Sequence, residues 1–148
     1  GDAGATHRSI VDHHWSLMRL VLDTNVAASA LLWGGVPARL LREAQARRVR
    51  LFTSTSLLLE LSKILGRPKF GKKIAASLMS IEQLVDCYAA LTDVVRPIPV
   101  AGIAPDPDDD VVIGTALAAR ADWIVTGDHG LLSIREHQGV FVGTVSDT

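Results

Sequence analysis

The sequence has few of the features that mark several large classes of protein. Its only cysteine, Cys87, leaves no partner for an internal disulfide and no basis for a zinc site built from several cysteines. We predict that Cys87 is a buried, inert thiol, in a chain typical of the reducing cytoplasm. The apolar stretch 15–33 is interrupted by Arg19, Asp23 and Asn25. A membrane span needs about 20 nearly uninterrupted apolar residues, so we expect no membrane segment.

Common catalytic and nucleotide-binding motifs are missing as well. The sequence has no Gly-x-Ser-x-Gly motif, no glycine-rich phosphate loop and no dinucleotide fingerprint. The N-terminus lacks the basic start and apolar run of a signal peptide. Residues 1–18 are polar and show no periodicity, so we expect a flexible leader there. The remaining length, 19–148, fits one domain.

The net charge of the chain is close to zero, but basic and acidic residues are concentrated in different parts of the sequence. The chain has 15 basic and 16 acidic residues, a net charge of −1. Residues 36–73 hold ten basic and two acidic residues (+8), and the remainder holds five basic and fourteen acidic ones (−9). This separation is either a pair of ordinary solvated helix faces or a basic rim for phosphates beside an acidic pocket. The RNA-binding candidates on that rim are Arg39, Arg42, Arg67, Lys69 and Lys72.

Short β-rich apolar runs alternate with helical patterns along the chain. The predicted strands are 19–22, 49–53, 93–98, 123–126 and 140–142. The predicted helices are 25–32, 38–46, 57–65, one or two helices within 72–91, and 109–121. Strands separated by helices form βαβ crossovers. We therefore predict an α/β fold with three layers and a mostly parallel, five-stranded sheet.

Acidic residues follow the predicted strands where a parallel sheet gathers its ligands. Asp23 follows the first strand, Asp128 follows the fourth, and Asp109 opens the helix before the fourth. Glu60 lies in the helix after the second strand and can reach the same edge. Gathered carboxylates repel one another, and a divalent cation with hard oxygen ligands relieves that repulsion. The pattern indicates a site for Mg²⁺ or Mn²⁺ that cleaves phosphodiester bonds.

Each acid also has an ordinary structural interpretation. Asp128 sits in a Gly-Asp turn, and both Asp109 and Asp110 are plausible helix N-caps. Glu60 is the most indicative residue, because it interrupts the leucines of 57–61 where a purely structural helix has little use for a charge. The convergence of the acids, rather than any single one, favours a metal site.

The motifs together resemble the PIN-domain family, especially the branch regarded as toxins of toxin–antitoxin pairs. The segments that carry the resemblance are 21–26 (VLDTNV), 54–61, 106–109 (DPDD) with the Ala-Leu helix after it, and 121–128 (ADWIVTGD). They span most of 20–142. The resemblance implies a Rossmann-like α/β/α fold and a ribonuclease that depends on Mg²⁺ or Mn²⁺.

The resemblance also implies roles for individual residues. The acids expected to hold metal and carry catalysis are Asp23, Glu60, Asp109 and Asp128. Asp109 is preferred to Asp110 because the family pattern has an alanine seven residues and a leucine eight residues after its aspartate, here Ala116 and Leu117. The expected helpers are Asp106, Asp110, Thr24, Asn25 and Thr126.

The predicted function is therefore a metal-dependent endoribonuclease, the toxin of a pair, with an antitoxin as protein partner. Domains of this type are commonly homodimers. One alternative is a catalytically silent RNA-binding or protein-interaction module. Another is a phosphatase of the haloacid-dehalogenase type, but Asn25 stands where such enzymes usually have a second aspartate.

Overall fold

The computed structural model describes residues 18–145 of the chain. The predicted leader, 1–18, lies outside the described residues except for Met18, which begins the first strand. Within 18–145, no helix is both long and apolar enough to cross a membrane.

A mostly parallel sheet forms the middle layer, as the alternating pattern predicts. The strands are β1 (Met18–Leu22), β2 (Val49–Thr53), β3 (Thr92–Val94), β4 (Trp123–Val125), β5 (Glu136–His137) and β6 (Val140–Gly143). Their order across the sheet is β3-β2-β1-β4-β6-β5, and β5 alone pairs antiparallel with its neighbour. Strands β2 and β3 are added to one side of β1 and the last three strands to the other side, so the topological switch point of the sheet lies between β1 and β4. A crevice at the carboxyl ends of these two strands is where open α/β sheets bind ligands.

Helices cover both faces of the sheet and make the fold three-layered. They are α1 (Thr24–Leu32), α2 (Val36–Gln45), α3 (Thr55–Leu65), α4 (Gly71–Ser77), α5 (Ile81–Ala90), α6 (Asp110–Ala119) and α7 (His129–Leu132). Two short 3₁₀ helices, Pro68–Phe70 and Pro107–Asp109, precede α4 and α6. Leu20 and Leu22 of β1 pack into one apolar core, and Val21 between them packs into the core on the other face. This alternation follows from the two-residue period of a strand.

Within residues 18–145 the sheet has six strands, so the predicted number of five is wrong. The missed strand, β5, is only two residues long and pairs with the start of β6 through a tight turn. Gln138 and Gly139 form the turn with φ angles of 48° and 88°. Two-residue hairpin turns of type I′ need positive φ at both central positions, and Asn-Gly is their usual signature. A two-residue strand with Gln-Gly at its turn carries almost no periodic signal.

The third strand is shorter than predicted, because it ends at Val94 rather than at residue 98. Pro97 and Pro99 have no backbone N–H to donate to a neighbouring strand. The chain leaves the sheet and packs on α6, where the backbone N–H of Ile98 donates to the carbonyl of Gly114 at 3.0 Å. Gly114 has no side chain to block this approach.

Cys87 is exposed, so its prediction as a buried thiol is also wrong. The buried stripe of α5 passes through Leu84 and Tyr88, one helical turn apart. Cys87 lies off that stripe. Its residue type is usually buried, but its helical phase places it toward solvent.

Candidate metal centre

Asp23 lies at the junction of β1 and α1 and is almost fully buried, with 6% of its surface exposed. It is the N-cap of α1, and its Oδ1 accepts a 2.8 Å hydrogen bond from the backbone N–H of Thr24. Its Oδ2 accepts a 2.8 Å hydrogen bond from the hydroxyl of Thr126. The carboxylate is therefore held by one neighbour in sequence and one from the end of β4.

Asp128 enters from the turn after β4 and is tied to the same threonine. Its backbone N–H donates to the Thr126 hydroxyl at 3.0 Å. Its own Oδ2 accepts from the N–H of Leu131 at 3.0 Å and caps the short helix α7. The turn-and-cap interpretation of Asp128 thus describes its local bonding, while its side chain also lines the cleft beside Asp23.

Asp109 and Asp110 are neighbours in sequence with different surroundings. Asp110 is buried, and its carboxylate accepts hydrogen bonds of 3.0, 3.2 and 2.7 Å from the backbone N–H groups of residues 102–104. Asp109 is half-buried, makes no side-chain cap to α6, and lines the cleft with Asp23. Asp110 therefore holds the preceding loop against α6, and Asp109 faces the cleft.

Glu60 approaches from α3, half-buried, and lines the same cleft. Its phase on the helix is set by the buried Leu57, Leu61 and Ile64, which pack into the cores. The N-terminus of α3 is fixed by Ser54, whose hydroxyl accepts from the N–H of Leu57 and from the hydroxyl of Thr115 on α6. The buried contact between the two hydroxyls ties the helix that carries Glu60 to the helix that follows Asp109.

The four acids thus line one cleft of about 370 Å³. Burial raises the pKa of Asp23, and the negative charges of Asp128 and Glu60 raise it further, against the lowering effect of its hydrogen bonds. The pKa of Asp109 rises to about 6, first through burial and then through the charges of Asp23 and Asp128. Close ion pairs among the described residues lie elsewhere, as between Arg50 and Asp93 at 2.8 Å. The cleft is a concentration of negative charge that a cation would relieve.

The donors fit a hard divalent cation that keeps part of its water shell. All four acids offer carboxylate oxygen, the ligand type that Mg²⁺ and Mn²⁺ prefer. Within 18–145, no three His, Cys, Asp or Glu side chains converge tightly enough to form a complete ligand cage. Magnesium usually binds through one or two carboxylates together with waters and substrate phosphate rather than in an all-protein cage.

The predicted helpers and basic residues divide between the cleft and other places. Thr24 and Asn25 line the cleft, whereas Thr126 lies beneath Asp23 and is buried. Asp106 caps the 3₁₀ helix at Pro107–Asp109 by accepting from the N–H of Asp108. Of the predicted RNA-binding residues, Arg67 and Lys69 line this cleft or the cavity next to it. Neither lining includes Arg39, Arg42 or Lys72.

A comparison with models of known protein families now settles the family. The model described as "PIN domain" matches residues 19–130, which is most of the chain. The chain belongs to the PIN-domain family. Its α/β/α architecture is the Rossmann-like fold of that family, so the fold implied by the resemblance is confirmed. No curated protein matches the chain.

PIN domains are generally nucleases, and they typically use divalent metals. The family thus agrees with the chemistry of the donor set at a coarse level. The match also covers all four cleft acids, because Asp23 and Asp128 fall near its two ends.

The structure adds lining residues that the sequence analysis did not single out. Lys63 and Asp108 line the cleft of this PIN domain, and Trp33 lines the adjoining cavity. A signal for Lys63 was present, since Glu60 and Lys63 are three residues apart on α3 and so share one helical face. Trp33 follows the last residue of α1 and carried no periodic signal.

Proposed function

We propose that this PIN domain is a metal-dependent endoribonuclease that hydrolyses phosphodiester bonds in RNA. The observation that carries the proposal is the meeting of Asp23, Glu60, Asp109 and Asp128, from four separate segments, in one cleft. Helix N-caps such as Asp23 and Asp128 lie at this edge in any parallel α/β sheet. Glu60 lies within α3 and Asp109 makes no side-chain cap, so capping does not account for their place in the cleft. Carboxylates gathered at the carboxyl edge of a parallel sheet are a suitable arrangement for a catalytic cation.

The cleft has basic residues on one side, as a polyanionic substrate requires. Lys63 and Arg67 line it together with Glu60, and all three come from α3 or the turn after it. This segment belongs to the stretch 36–73 with its local charge of +8. Cations at this position attract the phosphates that the acids alone would repel.

Each residue of the cleft has its own role in the proposed reaction. Asp23 and Asp109 would hold the ion, and Glu60 and Asp128 would complete the site. A bound Mg²⁺ or Mn²⁺ supplies an activated water and positive charge beside the scissile phosphate. Thr126 keeps the Asp23 carboxylate in place through its 2.8 Å hydrogen bond. Lys63 and Arg67 bind the phosphates on either side and orient the strand.

We further propose that the protein is the toxin of a toxin–antitoxin pair in the cytoplasm, with an antitoxin that covers the cleft and a second copy as homodimer partner. The support is the resemblance of its motifs to that branch of the family. Induced expression of the wild-type chain should arrest growth of a bacterial host, and expression of Asp23→Asn should not.

The direct test is cleavage of a panel of structured, single-stranded and circular RNAs with Mn²⁺, followed on denaturing gels. A circular RNA has no ends, so its conversion to a linear product reports endonucleolytic cleavage alone. We expect Asp23→Asn and Asp109→Asn each to lower the rate at least about a hundredfold, since each removes a charge from the site.

Asp86→Asn is the matched control, because Asp86 is an exposed acid on α5 outside the cleft. Its cleavage rate should equal that of the wild type. Cleavage that persists in excess chelator, or that survives Asp23→Asn, would contradict the proposal. A chain that binds RNA without cleaving any of the panel would favour the silent RNA-binding module instead.

A further inference from the structure

A second cavity of about 750 Å³ adjoins the acidic cleft on the side of α1. The two cavities share Asp23, Asn25, Arg67 and Asp128, so a strand that occupies one can continue into the other. The second cavity differs in its lining, because it contains the aromatic side chains of Trp33 and Phe70. The proposed hydrolysis of RNA does not itself require an aromatic surface.

Trp33 presents an exposed ring on a rigid support. It retains 39% of its surface, whereas Phe70 beneath it is only 5% exposed. The two rings meet edge to face with their centroids 5.6 Å apart. Phe70 is anchored in the apolar core, and Trp33 packs against it while part of its indole stays exposed. A fixed, exposed indole is a flat apolar surface with one polar N–H, and a planar ligand can stack on it.

One cation lies over this ring and two more line the cavity, with a charge opposite to that of a nucleic acid backbone. Arg67 and Lys69 line the cavity, and the Lys73 ammonium lies 5.3 Å from the Trp33 ring centroid. Lys73 is exposed, so its flexible side chain can exchange the ring for a phosphate without breaking a packed contact. An aromatic platform with basic side chains around it is the arrangement that binds single-stranded nucleic acid.

Helix α1 sets the distance between this platform and the acids. Asp23 caps its N-terminus, and Trp33 follows its C-terminus. Asn25, Ser29 and Trp33 are spaced four residues apart and form a polar-to-aromatic row along the cavity. The nine residues of α1 correspond to about 14 Å. The ring is therefore placed to meet a nucleotide near the one being cleaved and not that nucleotide itself.

We propose that Trp33 stacks on an unpaired base of the RNA substrate, next to the cleavage site, while Arg67 and Lys69 hold the adjacent phosphates. This inference rests on the proposed nuclease function, which it makes more specific: the substrate is single-stranded where it crosses α1. Trp33 acts as a specificity residue, because a base within a duplex has no free face to offer.

Fluorescence anisotropy of a short labelled single-stranded RNA tests the proposal, in chelator and at low ionic strength so that binding is measured without turnover. We expect Trp33→Ala to weaken binding about tenfold, the usual loss for one stacked base. Trp33→Phe keeps an aromatic face and should stay within about threefold of the wild type. Phe141→Ala is the control, because Phe141 is an exposed aromatic residue on β6 that contacts Trp123 and lines neither cavity.

An RNA of the same length with abasic positions separates stacking from charge. On that strand Trp33→Ala should bind as the wild type does, because no base remains to stack. An equal loss on the abasic strand, no loss on the normal strand, or no binding by the wild type would overturn the inference. Circular dichroism checks that each variant folds, and Trp33→Leu, which fills the space without a ring, replaces Trp33→Ala if that variant does not.

Cleavage is measured separately with Mn²⁺, so the two proposals can fail independently. Binding that depends on Trp33 without any cleavage would contradict the nuclease and keep the stacking site. Cleavage at an unchanged rate and KM in Trp33→Ala would contradict the stacking site and keep the nuclease.

Discussion

The hydroxyl of Thr126 joins the two aspartates that follow neighbouring strands of the sheet. It donates to Oδ2 of Asp23 at 2.8 Å and accepts from the backbone N–H of Asp128 at 3.0 Å. Thr126 is itself 1% exposed; its hydrogen bond to Asp23 is buried, and the one from Asp128 is partly buried. A single buried oxygen thus fixes one acid by its side chain and the other by its backbone.

Replacement of this hydroxyl by a methyl group should loosen the site. We expect Thr126→Val to lower the affinity for Mn²⁺ by about tenfold or more, as changes behind metal ligands usually do. Its free energy of unfolding should fall by about 1–3 kcal/mol, because the buried Asp23 carboxylate and the partly buried Asp128 N–H each lose a hydrogen-bond partner. Titration calorimetry and urea unfolding measure the two effects. Thr126→Ser retains the hydroxyl and is the control; Thr126→Val with wild-type affinity would show that this bond does not position Asp23.

Asp110 should matter for stability. Its carboxylate accepts three hydrogen bonds from the loop 102–104. An asparagine has one acceptor oxygen in place of two, so we expect Asp110→Asn to lower the free energy of unfolding by about 2–3 kcal/mol. Asp108→Asn is the matched control, because Asp108 is exposed, and it should stay within about 0.5 kcal/mol of the wild type. Equal stability of the two variants in urea unfolding would contradict the structural role.

The sequence predicted the elements that repeat their pattern over several turns or residues. The alternation of strands and helices gave the parallel sheet, and β2 has the predicted bounds of 49–53. The two-residue β5 lay below the length at which a period can be detected. The third strand was predicted too long because an apolar, β-branched run continued past Val94 although its prolines cannot pair.

The candidate site was predicted as far as strand ends determine it. Asp23 and Asp128 follow β1 and β4, which are neighbours in the sheet, and they do line one cleft. The residues alone left Asp109 and Asp110 as alternative caps. Which of the two side chains faces the cleft depends on the loop 102–104, whose N–H groups bind Asp110 and whose conformation no sequence periodicity predicts. Their catalytic roles stay predictions until the variants are measured.

The packing of the 97–98 segment on α6 depends on the absence of a side chain at Gly114. A Cβ at this position would lie 2.2 Å from the carbonyl oxygen of Ile98, well inside contact distance. We expect Gly114→Ala to lower the free energy of unfolding by about 1–3 kcal/mol, because the backbone has to move apart. Urea unfolding measures the change.

Gly71→Ala is the control for the helical preference of alanine. Gly71 begins α4, and a Cβ there would meet nothing within 4 Å. This variant should be as stable as the wild type or gain about 0.4–1 kcal/mol. If Gly114→Ala were also stabilised, the close approach of the segment to α6 would not limit this position.

The raised pKa of Asp109 makes stability depend on pH in a direction opposite to that of a paired acid. Its pKa is about 6 in the folded chain against an ordinary value of 3.8. Between those values the folded chain holds a proton that the unfolded chain has released, so the free energy of unfolding falls as the pH rises from about 4 to about 6. Asp109→Asn removes this loss. Its advantage over the wild type should be absent near pH 4 and reach about 1 kcal/mol above pH 6, since solvent screens a half-buried group.

Mn²⁺ should make the wild type more stable to unfolding than Asp109→Asn, the reverse of their order without metal. At pH 7 the wild type carries the repulsion that a bound cation relieves, so a ligand that binds only the folded state raises its Tm. We expect Mn²⁺ in excess to raise the Tm of the wild type and of Asp86→Asn, and to leave that of Asp109→Asn nearly unchanged. Thermal unfolding with and without chelator measures the shifts. A similar rise in all three proteins would place the ion away from Asp109, and lower stability of Asp109→Asn at pH 7 without metal would contradict the sign of the pKa shift.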